Sequence, residues 1–213
     1  MASPNAPTGP SEYIAQVASK LPPLMQARLL FNHNVQRAHF NYGVMHIPSA
    51  RDLLENAYRI MQKGDEPDVA DLLLLFTIFC GSALTWTPQL LKSLNATESE
   101  AKTAGSEYLQ IAHSIMENES KPVEPSTIAL VGLSNLGSIL VHIRGPSMNA
   151  ITMRLKAVAM ARAMQLDRLD TEQSQLERSK KGFSHIELEI QRRNWWSLVA
   201  SDWYIAPNLM ILT

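Results

Sequence analysis

The sequence predicts an all-α protein, an irregular multi-helix bundle of about 8–10 helices. Three observations carry that expectation. Apolar residues recur at three- and four-residue steps along nearly the whole chain after residue 11. Alternating β-branched runs between tight glycine turns are scarce, and no internal repeat is evident. Finally, 46% hydrophobic against 18% charged residues over 213 positions is enough to bury a sizeable core.

The elements follow in order. Residues 1–11 are polar and rich in proline and small side chains, and are expected to be a flexible N-terminus ahead of a helical domain over 12–213. They lack the basic-then-apolar pattern of a signal peptide, so an intracellular location is expected. Pro22-Pro23 suits a helix N-terminus, and Leu24, Ala27, Leu30 and Phe31 then share a face. "GVMHIPS" interrupts, and Ser49 is placed to cap a helix carrying Leu53, Leu54, Ala57 and Tyr58. "KGDEPD" breaks the chain before "VADLLLLFTIFCGSAL", residues 69–84. This run holds Asp71 and falls short of the roughly 20 apolar residues of a membrane span, so it reads as a buried core helix.

"WTPQ" starts a short helix, and Thr97 with Glu100 forms a capping box for the next. "KPVEPS" and "IRGPSMN" are linkers around "TIALVGLSNLGSILVHI", which is apolar almost all round and therefore interior. "AITMRLKAVAMARAMQL" is an alanine- and methionine-rich helix suited to close packing. "DRLDTEQSQLERSKKGFSH" is polar enough to be an exposed loop, and a last helix begins near Ser184.

Charge and motif content exclude several function classes. Nineteen Lys and Arg against 20 Asp and Glu leave no basic excess for neutralising phosphates, so direct nucleic-acid contact is not expected. Cys80 is the one cysteine, which rules out an intrachain disulfide and a cysteine zinc cluster within these residues. The six histidines make no H-x-x-x-H or H-E-x-x-H spacing, so no metal site is expected. Gly-rich phosphate loops and nucleophile elbows are missing, so no catalytic residue is assigned. Asn95 and Asn118 open chance glycosylation tripeptides. His46, beside Pro48, reads as a hydrogen-bonded structural histidine.

One stretch resists so bland a reading: "EIQRRNWWSLVASDW", residues 189–203. On a helix, Arg192, Trp195, Val199, Asp202 and Trp203 fall near one stripe, and Arg192 and Arg193 lie within a turn of Trp196. Basic groups beside indoles could form a nucleic-acid stacking platform. The acids Glu187, Glu189 and Asp202 on the same helix argue instead for a core helix. In that reading Trp195 and Trp196 are buried, and Arg192 and Arg193 pair with carboxylates, Asp202 among them.

These residues also resemble the acidic, arginine-arginine, tryptophan-tryptophan, aspartate signature of the fungal-specific transcription factor domain, the middle homology region of fungal binuclear zinc-cluster regulators. Earlier segments resemble the same family in the same order: "GVMHIPSA" with His46 and Pro48, "LLLLFTIFCGSAL", "AGSEYLQIAHSIM" and "RLKAVAMARAMQLDRLD". The likeness runs over about residues 20 to 206. It departs from the family where Gln165, Leu166, Asp167 and Arg168 replace a glycine-leucine-histidine-arginine sequence. The family's six-cysteine cluster has no counterpart here, and "YIAPNLMILT" stands where the family continues, so the chain is expected to be the N-terminal half of a longer regulatory domain.

The resemblance implies a nuclear, non-enzymatic regulatory module of a transcription factor. His46, Pro48, Arg192, Arg193, Trp195, Trp196 and Asp202 would then be its structural signature. It implies protein partners (a second copy or a full-length relative), a small-molecule effector, no membrane, and no cofactor, since zinc belongs to the cysteine cluster. Two alternatives stand beside it: a helical small-molecule-binding protein or pathway-associated enzyme on the same scaffold, and a dimerising module that dampens a full-length relative.

Overall fold

A computed structural model describes residues 10–37 and 43–209, with side chains described in the last helix as far as Ser201. Among the described residues the chain forms ten α-helices, one short 3-10 turn and no strand, so the all-α expectation holds. The sequence reads as one continuous helical domain, whereas the chain divides into two compact units. The first comprises Met1–Asn41 and Ile47–Glu124, the second Tyr42–His46 and Pro125–Thr213.

The first unit is built around one helix. Its elements are α1 (Pro10–Ala18), α2 (Leu24–Arg37), α3 (Ile47–Gln62), α4 (Val69–Leu84), α5 (Pro88–Leu94) and α6 (Glu98–Glu117). α1 starts two residues inside the segment read as a flexible lead-in. From Val69 to Ala83 every α4 residue but Asp71 is buried, because α2 and α6 flank the helix and α1 and α3 also pack on it. Asp68 caps α4, accepting from the Ala70 N–H at 2.7 Å.

Polar ties set how α2 meets α4. Ser82 Oγ donates to the Leu30 carbonyl (2.6 Å), Asn34 Nδ2 donates to the Ile78 carbonyl (3.0 Å), and His33 Nε2 lies 2.7 Å from the Thr85 carbonyl. On the other flank Gly105 lets α6 come close. A Cβ there would meet the Ala83 Cβ at 3.4 Å, and the Cys80 thiol donates to the Gly105 carbonyl. Burial pushes that thiol's pKa up to about 12, so Cys80 behaves as a small apolar side chain.

α3 begins at Ile47, not after Ser49. Pro48 is accommodated because the first helical turn needs no backbone N–H, and Ser49 therefore lies inside the helix. Arg28 and Glu55 join α2 to α3 through two 2.7 Å bonds. The Thr97 and Glu100 capping box of α6 forms as expected. The two glycosylation-like tripeptides have structural uses: Asn95 ends α5 with φ 51°, and Asn118 accepts from the N–H groups of Ser120 and Lys121.

The second unit contains α7 (Thr127–Arg144), α8 (Met148–Ala163), the 3-10 turn Leu166–Arg168, α9 (Glu172–Lys181) and α10 (His185–Leu209). α7 is long and apolar enough to cross a membrane by length and composition alone. It nevertheless packs on α8 and α10, and buries Asn135. The polar segment 167–185, expected to be a loop, contains a real helix. Thr171 caps α9 by accepting from the Ser174 N–H, and Gln173 bonds Glu177 one turn on.

Candidate functional site

The arginine-tryptophan helix α10 lies in the second unit, and its burial decides between the readings above. Asn194 is fully buried and Leu198 is 6% exposed, with Glu187 and Gln191 earlier on the same stripe at four- and three-residue steps. This stripe lies one residue before the expected one. Trp195 and Val199 are consequently at its half-buried flank, and Trp196 is 59% exposed. The expectation that both tryptophans are buried is corrected for Trp196. A step of about 100° per residue carries it to the solvent side once Asn194 faces inward.

Three sets of side-chain bonds fix that rotation. Thr127, the first residue of α7, donates to Glu187 Oε1 at 2.8 Å and accepts from Gln191 Nε2 at 2.9 Å. Asn194 Nδ2 donates to the Val44 carbonyl at 3.3 Å and to the Ile190 carbonyl at 2.9 Å. Arg154 of α8 donates to the Leu198 carbonyl. Sequence reasoning missed Asn194 because a polar residue between two arginines and two tryptophans reads as surface. The available signal was its place on the same helical stripe as Ile190 and Leu198.

Arg192 and Arg193 are both paired. Arg192 grips Asp170 with two nitrogens, at 3.1 and 2.7 Å, and also reaches Glu189 at 2.9 Å; Arg193 Nε takes the other Glu189 oxygen at 2.9 Å. Bonds from Arg192 hold the Asp170 carboxyl below its usual pKa. Bonds from Arg193, then Arg192, do the same to Glu189, and their carboxylates in turn raise Arg192. Asp170, just beyond the 3-10 turn, is a partner of Arg192 that the sequence reading did not name. Asp202 itself lies in α10, with its side chain outside the described residues.

Arg192, already forked onto Asp170, has little to offer a phosphate, whereas Arg193 is held by a single bond to Glu189. What the arrangement does is lock α10 to the turn after α8. His46 is half-buried in the segment Tyr42–His46 that groups with this unit, while Pro48 is exposed in the first turn of α3. Among the described residues no three His, Cys, Asp or Glu side chains cluster as a metal site would require.

Comparison with known proteins points one way. Over 190 residues, 87% of its length, the chain is 27% identical to the "Probable transcription factor lepB" of Aspergillus flavus, covering 33% of that protein. It is 24% identical over 88% of its length to the "Agnestins biosynthesis cluster transcription factor AgnL11" of Paecilomyces divaricatus, and 22% identical over 88% to the "Transcription factor TAS2" of Pyricularia oryzae. These cover 27% and 24% of the respective relatives. The chain is thus similar to named fungal transcription factors and spans a quarter to a third of their length. No family model matches it, and no solved structure does.

Proposed function

We propose that this chain is the regulatory, middle-homology region of a fungal transcription factor, modulating transcription in the nucleus through protein contacts, without catalysis and without reading DNA itself. The observation that carries the reading is the similarity to three named transcription factors over 87–88% of the chain. The locked arginines of α10 and the near balance of 19 basic and 20 acidic residues support the part about DNA.

The test is a reporter in a fungal host, with the chain fused to a DNA-binding module of unrelated origin. Reporter output should differ from that of the module alone, in either direction. Output indistinguishable from the module alone, with equal protein levels, would overturn the regulatory role.

The dimerising alternative has its own support. Trp196, Leu155 and Met148 of the second unit are 59, 62 and 71% exposed, apolar side chains that a second copy would cover. Sedimentation of the purified chain as a monomer at all accessible concentrations would remove that alternative.

A further inference from the structure

The first unit carries a half-open cleft of about 180 Å³ between α2 and α5, slightly larger than the roughly 150 Å³ cavity that accepts benzene. Where two helices face each other the facing stripe is ordinarily apolar. Here the stripe of α2 is Leu29 followed by Asn32, His33, Gln36 and Arg37, at helical spacing, opposite Gln89 and Leu90 of α5.

Two features describe the lining of this cleft. Among the described residues its lining holds a cation and no carboxylate. Among the described residues, moreover, nothing hydrogen-bonds or ion-pairs with the exposed side chains of Asn32, Gln36, Arg37 or Gln89, whereas Arg28 and Arg192 are forked onto acids and Arg193 gives one bond to Glu189. His33 supplies a buried polar wall, only 7% exposed. A carbonyl can only accept, so in the 2.7 Å contact with Thr85 it is His33 Nε2 that donates. The base is apolar through Leu90.

We propose that the cleft between α2 and α5 binds a small organic carboxylate, with Arg37 forking onto the carboxyl oxygens, the three amides hydrogen-bonding it, and its apolar body resting on Leu90. The fork geometry of guanidinium on carboxylate and the small volume of the cleft select this class over a bulky or neutral ligand. The inference does not depend on the transcriptional reading, since it concerns binding alone.

Benzoate is the probe, with benzamide and inorganic phosphate as comparisons, titrated into the ¹⁵N-labelled full chain. Benzoate should give saturable amide shifts confined to residues 29–37 and 87–93. Arg37→Gln should weaken it about tenfold or more, as loss of a charge-assisted pair does, and Arg37→Lys should fall between. Arg37 also sits in the last turn of α2, where any cation complements the helix dipole, so affinity rather than melting temperature is the readout. Absence of saturation, equal binding of benzamide, preference for phosphate, or unchanged affinity in Arg37→Gln would each overturn the proposal. Should Arg37→Gln fail to fold, Gln89→Ala, at an exposed position of α5, is the second variant. It should weaken benzoate binding, and an unchanged affinity would overturn the proposal equally.

Discussion

At the scale of single residues, burial and pairing outrank residue type. Asn194 is wholly enclosed and donates to two carbonyls, so Asn194→Ala should cost about 1–3 kcal/mol, the usual range when a buried hydrogen-bonding group loses its partner. Trp196→Ala should stay within about ±0.5 kcal/mol, as for surface changes, despite removing the larger side chain. Denaturant melts of the two variants decide the order, and a costlier tryptophan would show that Trp196 is covered. Asp71 gives a second prediction. Burial, with the Asp68 charge adding to it, pushes its carboxyl up to about 6. A raised acid holds its proton longer in the folded state, so its contribution to stability is full below the unfolded value near 4. That contribution is lost as pH rises through about 6. Asp71→Asn should therefore gain on the parent by about 1 kcal/mol between pH 4 and 7, a figure reduced for partial solvent screening. Chemical melts at the two pH values measure it, and a constant difference would refute it.

Elements show which parts of the fold were legible beforehand. α4 was readable because an unbroken apolar run of that length has nowhere to go but the interior, and the Thr97 and Glu100 box because cap chemistry is local. α9 was not. Its one well-spaced apolar residue is Leu176, 61% exposed, so the periodic signal of a helix is missing, and it rests on the Thr171 cap and pairing along its surface. The rotation of α10 was hidden for a different reason. Two stripes one residue apart are both plausible until Thr127, Asp170 and Val44, all distant in sequence, choose between them. The unpaired stripe of α2 was equally invisible, because pairing cannot be read from Arg37 alone. Two tests belong at this scale. Thr97→Ala should cost about 1 kcal/mol through the lost cap. At the half-exposed Arg192, replacement by Ala should cost about 0.2–1 kcal/mol, and Lys should recover little because it cannot fork onto Asp170 while also reaching Glu189. Full recovery by Lys would mean that only the charge matters there.

For the whole molecule the governing quantity is charge. A net charge of −1 gives no long-range attraction to a polyanion, and the arginines nearest to exposed indole are already neutralised by Asp170 and Glu189. Binding to duplex DNA draws most of its strength from released counterions, and each released counterion needs a free cation at a phosphate. Below the sequence pI of about 6.6 the net charge turns positive, but only by a diffuse few charges. The purified chain should accordingly show no retention of a defined promoter fragment over a scrambled one at physiological salt and neutral pH. Whatever weak retention appears in mild acid should vanish on modest addition of salt and should not depend on sequence. A mobility-shift series across salt and pH tests this directly. Retention that is sequence-selective and survives physiological salt would mean that the chain presents a reading surface, and that its arginines leave their carboxylates to do so.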